Sequence, residues 1–190
     1  MKRLLPLFCI LVILFASAGV ASADKPLPDT FTITGYTTSY TFDTLPSGRT
    51  KFNLLAQGGA ETPVDDAICS AWYGVTSCQA LCQSSPDHAC GVTGRFLAAS
   101  FKFEEKGNVD YDPITKQGSG KGTNQGDLTI TMPDGSKAVI RFDGQADLQT
   151  VSGNWRVLSS SGTLDGLHGQ GKYTGNAGLV FSVTFDGKFH

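Results

Sequence analysis

Ser161-Gly-Thr-Leu-Asp-Gly-Leu-His-Gly-Gln-Gly-Lys-Tyr173, followed by the alternating run at residues 179–189, decides the fold class of this chain. Glycines at 162, 166, 169 and 171 mark places where the backbone turns tightly or approaches another strand closely. In the run after them Leu179, Phe181, Val183, Phe185 and Phe189 fall on one side, and Ser182, Thr184, Asp186, Lys188 and His190 on the other. A period of two describes a strand with one face in a core and one in water. The two halves together predict an antiparallel sheet that is closed or strongly curved.

The same alternation recurs upstream. A loose lead-in at residues 24–29 precedes a strand, or a bent pair of strands near Gly35, at residues 30–43. Pro46-Ser-Gly48 reads as a turn, and residues 50–57 as a strand with Phe52, Leu54 and Ala56 on one face. Residues 95–105 place Leu97, Ala99, Phe101 and Phe103 together, with a hairpin turn expected at Gly107-Asn108 and a partner strand from Val109. Residues 113–125 read as a polar loop. Pro133-Asp-Gly135 is a strong hairpin signal between residues 127–132 and 136–142, and residues 151–158 add a strand containing Trp155. Eight or nine short strands with almost no helix predict an all-β barrel or sandwich. Glycine, 23 of 190 residues against a usual share of ~7%, favours the barrel, whose corners need it.

Lys2 and Arg3, the apolar run from Leu4 to Phe15 and Ala21-Ser-Ala23 form the three parts of a secretory signal. Residues 1–23 are therefore expected to be removed, Cys9 with them, leaving one barrel domain over residues 24–190 in a secreted or periplasmic location. No later apolar run is long enough to span a membrane by a helix. Without Lys2 and Arg3, 13 basic residues face 17 acidic ones, a net charge of about −4. Nucleic acid is not an expected partner for a chain with no basic stripe.

Residues 58–94 break the alternation and hold Cys69, Cys78, Cys82 and Cys90. An even number of cysteines in an exported chain predicts two disulfides, in any of three pairings. Intervals of eight, three and seven residues match no zinc ribbon or finger, even with His88 nearby. The segment is expected to be a disulfide-stapled, partly helical insertion outside the sheet, carrying Trp72 and Tyr73.

From Trp155 through Ser161-Gly-Thr163, Gly166-Leu167, Gly169, Gly171 and Tyr173 to the closing strand, the carboxy-terminal half resembles calycin-like bacterial barrels of the allene oxide cyclase and dirigent type. The resemblance implies a barrel, and as one activity a cyclase- or isomerase-like reaction in which the barrel shapes its substrate. Leu164 stands where glycine is more typical, and the resemblance carries over no catalytic residue.

Nor does any local motif name one. Ser159, Ser160 and Ser161 lack a nucleophile elbow, and Gly118-Ser-Gly-Lys-Gly122 lacks the ending of a phosphate loop. His88, His168 and His190 have no metal-ligand spacing, so neither metal nor cofactor is expected. Glu104, Glu105, Asp110 and Asp112 read as the solvated ends of a hairpin rather than as a glycosidase pair. The pairs Asp110/Asp112 and Asp143/Asp147 lack a calcium loop. What remains is the inward aromatic set: Trp155, Phe101, Phe103, Phe142 and Phe181 are the residues that either fill the barrel or line a cavity for a ligand. The expected function is non-catalytic: binding of a small apolar molecule inside the barrel, or of a partner through residues 58–94. The alternatives are the cyclase-like enzyme and a secreted interaction or inhibitor protein. A homo-oligomer is compatible with each.

Overall fold

The computed structural model describes residues 27–59, 90–112, 117–147, 149–176, 178 and 180–190. Nine strands follow one another: β1 (Leu27–Thr44), β2 (Thr50–Gly58), β3 (Gly91–Gly94), β4 (Ser100–Val109), β5 (Gly122–Thr131), β6 (Lys137–Ala146), β7 (Thr150–Ser161), β8 (Gly169–Asn176) and β9 (Val180–Phe189). Eight of them close an antiparallel barrel in the order β1-β2-β4-β5-β6-β7-β8-β9, and β9 returns to β1. The fold is therefore all-β, as the alternation predicts. Among the described residues the only helical turn is the three-residue 3₁₀ segment Gly162–Leu164.

β1 forms the seam. It is one continuous strand of 18 residues, longer than expected at both ends and not a bent pair. Its first half pairs with β9, from Leu27 opposite Phe189 to Tyr36 opposite Val180. Its second half pairs with β2, from Tyr36 opposite Gln57 to Thr44 opposite Thr50. A bulge between Thr37 and Ser39 turns the strand from one neighbour to the other. β3 lies beside residues 31–34 on the edge that β2 leaves uncovered.

Four expectations need correction, the first being that residues 113–125 form a loop, since β5 begins at Gly122 and pairs with β4 from there. Residues 95–98 are a turn, not the start of a strand. Leu97 N–H donates to Gly94 O and Ala99 N–H to Phe96 O, which leaves Leu97 69% exposed and buries Phe96 completely. Gly107-Asn108 is not a hairpin turn, because β4 runs through it to Val109 opposite Gly122. Gly107 is glycine for lack of room: a Cβ there would lie 2.7 Å from the Phe52 ring. The last residues of the cysteine-rich segment belong to the sheet, as β3. Residues 60–89, with Cys69, Cys78, Cys82, Trp72, Tyr73 and His88, lie outside the described residues. Cys90 is a disulfide cysteine. Residues 1–26, and the signal read there, lie outside the described residues as well.

The opening motif splits into two jobs. Gly162 and Gly166 have left-handed φ of +67° and +79° and turn the chain between β7 and β8. Gly169 and Gly171 are strand residues, and Gly171 lets β8 come against Asp186 of β9. Thr163 ties the turn to the Pro133-Asp-Gly135 hairpin. Its hydroxyl donates to Asp134 Oδ2 at 2.8 Å, and its N–H donates to Ser136 Oγ at 2.8 Å. With the Thr163 proton so committed, the 2.9 Å Ser136–Thr163 hydroxyl contact has Ser136 as donor.

Candidate functional site

Strand direction gives the barrel two unlike ends. One holds the start of β1 and the ends of β7 and β9; Phe31, Phe96, Phe185 and Phe189 fill it completely with Trp155. Phe31 stacks on Phe185 at 4.7 Å, Phe96 meets Phe31 edge-on at 5.0 Å, and Trp155 lies 4.9 Å from Phe189. Trp155 Nε1 donates to the backbone oxygens of Lys172 and Asp186. Arg95 closes this end from outside, its guanidinium 4.7 Å from the Phe189 ring centre and 3.0 Å from Asp29.

The other end holds the cavity. It encloses about 220 Å³ between Tyr40 and Phe42 of β1, Phe52 and Leu54 of β2, and Glu105 and Val109 of β4, with Val151 of β7 opposite. An adjoining recess of about 40 Å³ reaches down to Phe103 and Phe181. Walls this apolar, with one convergent carboxyl, are the ordinary make-up of a small-molecule site.

Glu105 is inward because β4 alternates. Phe101, Phe103, Glu105, Gly107 and Val109 share one face, while Lys102 and Glu104 pair with each other outside at 2.6 Å. Opposite Glu105 on β5 stands Gly126, and two pairs further along, opposite Gly107, is Asn124, buried on the same face. The Asn124 Nδ2–H donates to Glu105 Oε1 at 2.7 Å, and the buried Tyr173 hydroxyl donates to Asn124 Oδ1 at 2.9 Å. This relay fixes one carboxyl oxygen. Glu105 Oε2 has no partner among the described residues.

The electrostatics follow from burial. Desolvation pushes the Glu105 carboxyl up to about 7, against the smaller opposing effect of the Asn124 hydrogen bond. At neutral pH it is therefore present in both forms. Burial, then the Glu105 charge, pushes the Tyr40 phenol up to about 12. The Tyr173 phenol is held well above its ordinary value, chiefly by burial. Both tyrosines are thus hydrogen-bond donors at any physiological pH.

The rim is tied down. The Thr50 hydroxyl donates to Tyr111 O at 2.6 Å, and Thr37 Oγ1 to Gly178 O at 3.4 Å. Asp147, also lining the mouth, accepts from the N–H groups of Gln149 and Thr150 and from the Thr150 hydroxyl. Those bonds hold its carboxyl below the usual range and keep it charged.

The aromatic residues read from the sequence as either filling the barrel or lining a cavity are mostly filling. Trp155, Phe101, Phe103, Phe142 and Phe181 are 0–5% exposed. Phe103 stacks on Phe142 at 4.6 Å and lies 5.6 Å from Phe181, which Phe101 meets at 6.2 Å. The four phenylalanines pack on one another in the barrel's middle and Trp155 packs on Phe31, Phe185 and Phe189 at its closed end, and of the five only Phe103 and Phe181 touch the recess below the cavity. His168 and His190 face out at the closed end. They exchange backbone hydrogen bonds of 2.9 and 3.0 Å, with their rings 5.8 Å apart. Asp110 is a loop anchor, accepting from the Ser119 N–H and hydroxyl. Among the described residues no three histidine, cysteine or acidic side chains come together as a metal site.

Glu105 was legible after all. The phase that aligns Phe101 with Phe103 puts Glu105 on the same face, and only the misplaced turn at Gly107 made it look like a hairpin end. No protein-family model matches the chain, and no curated protein matches it.

Proposed function

We propose that the barrel binds one small, neutral, largely apolar molecule in the cavity beside Glu105, with a single polar group of that molecule on the carboxyl. The observation that carries this reading is the inward Glu105 carboxyl, one oxygen of which has no partner among the described residues, in a largely apolar chamber whose other carboxyl, Asp147, is tied down at the mouth. At about 220 Å³ the chamber has room for roughly seven waters at ~30 Å³ each, which is a single-ring molecule rather than a lipid tail. The charged Asp147 at the mouth and the partly ionised Glu105 inside disfavour an anionic ligand. A carbonyl oxygen accepts from the protonated carboxyl, and a hydroxyl donates to the ionised one. The resemblance to allene oxide cyclase and dirigent barrels is consistent with such an occupant. On this reading residues 1–23 export the protein. The cysteines of residues 58–94, a segment that starts at the end of β2 and finishes as β3, are then held in disulfides, and Gly59 and Gly91 adjoin.

The test is an NMR titration of isotope-labelled protein with cyclohexanone, cyclohexanol and cyclohexanecarboxylate. The expected result is shift changes at Tyr40, Leu54, Glu105, Val109 and Val151 with the two neutral compounds, much weaker with the carboxylate, and lost in Val151→Trp. Tighter binding of the carboxylate, or shifts centred elsewhere, overturns the proposal.

A further inference from the structure

We infer that the cavity also does chemistry: Glu105 carries a proton between two carbons of a bound β,γ-unsaturated ketone while the Tyr40 hydroxyl donates to the ketone oxygen. The inference rests on the binding reading above and deepens it.

Three features of the site point to proton transfer rather than mere recognition. A single polar anchor would serve binding equally well as an amide or a hydroxyl, neither of which brings an ionisable group into an apolar chamber at the cost of desolvating it. Glu105 is also held in a fixed orientation from behind, since Asn124, itself held by the Tyr173 hydroxyl, engages only Oε1 and leaves Oε2 without a partner among the described residues. A base fixed on one oxygen with the other free can collect a proton at one carbon and deliver it at another without leaving its place. Finally, Tyr40 lines the same cavity, feels the Glu105 charge and keeps its proton. It is thus a donor for an oxygen on which negative charge develops.

The step balances with no further reagent. Ionised Glu105 forms an O–H bond to the proton on the carbon between the carbonyl and the alkene. The C–H electron pair becomes a new C=C bond, and the carbonyl π pair moves onto oxygen, where the Tyr40 O–H stabilises it. The original alkene π pair then takes the proton from Glu105 at the far alkene carbon as the Glu105 O–H bond breaks, the oxygen pair re-forms C=O, and the new C=C pair shifts one bond along into conjugation. Glu105 ends as the carboxylate it began as. The substrate class is a neutral monocyclic enone precursor, which fits both the chamber's size and its exclusion of anions. A carboxyl poised near neutral pH is suited to both halves of the transfer.

The probe is 3-cyclohexen-1-one, whose conversion to 2-cyclohexen-1-one is followed by the rise of conjugated-enone absorbance, with binding followed in parallel by NMR. The expected result is catalysis by the full chain above the buffer rate, along a pH profile that rises to a plateau above about 7. Glu105→Gln lowers the rate by roughly 10²- to 10⁴-fold while still binding the ketone; Glu105→Asp retains part of the activity, and Tyr40→Phe costs roughly tenfold or more. Binding by the parent protein without acceleration overturns the inference and leaves the binding reading standing. Acceleration that survives in Glu105→Gln, checked for an unchanged fold by its NMR spectrum, overturns the assignment to Glu105. Failure of the parent protein to bind the ketone overturns both.

Discussion

The two ends of this barrel are built from the same strands with the same alternation, yet one is solid and the other hollow. At the closed end the inward positions of β1, β7 and β9 include the large rings Phe31, Trp155, Phe185 and Phe189, and Phe96 adds another from a turn. At the open end the inward positions of β4, β5 and β6 turn small or polar: Glu105 and Gly107, Asn124 and Gly126, Gly144 and Ala146. Space in a barrel is thus set one residue at a time along each strand. The hollow end can carry a costly ionisable group because the solid end supplies the cohesion.

That division can be broken at either end. Phe189→Ala removes a ring in contact with Phe31, Phe96 and Trp155 and is expected to cost about 3–5 kcal/mol, read as a lowered midpoint in urea unfolding. A loss under 1 kcal/mol would mean that the closed end does not hold the fold together.

Glu105→Gln acts in the opposite direction. The carboxyl rises from 4.5 to about 7 on folding, so between those values the folded state binds the extra proton and stability falls as pH rises. The contribution is intact below about 4.5 and lost above about 7. By about 1.4 kcal/mol per pH unit, ionisation costs on the order of 3 kcal/mol at pH 8. The glutamine variant should therefore be more stable than the parent at pH 8 and little different at pH 4; equal pH dependence in the two would show that Glu105 is not desolvated. The smallest expected effect is that of Thr163→Val, which cuts the tie between the β7–β8 turn and the β5–β6 hairpin. It should cost about 1 kcal/mol, leave ligand binding at the far end unchanged, and show in thermal melts.

The architecture was legible because one face of nearly every strand is buried and the alternation is therefore strict. The Pro133-Asp-Gly135 turn was equally plain: Gly135 adopts φ +84° and Met132 exchanges hydrogen bonds with Ser136 and Gly135 across it. Glycine was the ambiguous letter. At 162 and 166 it makes turns; at 107 and 126 it gives way to the rings of Phe52 and Phe142 inside continuous strands. Reading Gly107 as a turn moved Glu105 to a hairpin end, and reading residues 113–125 as a loop hid Asn124. The position of the cavity was not legible, because it depends on which side chains from non-adjacent strands meet across the interior once the barrel has closed.

The seam at β1 bears on how the molecule is made. β1 comes first in the chain among the barrel strands, yet half its length pairs with β9, the last. Until β9 is available, β1 and β8 each present an unpaired edge, the kind of surface that invites pairing between chains. Closure is therefore a late event of very high sequence separation, which makes for slow folding and a window in which neighbouring molecules compete for the same edges. Much of the molecule's exposure to aggregation is concentrated in that interval, before its two outermost strands meet.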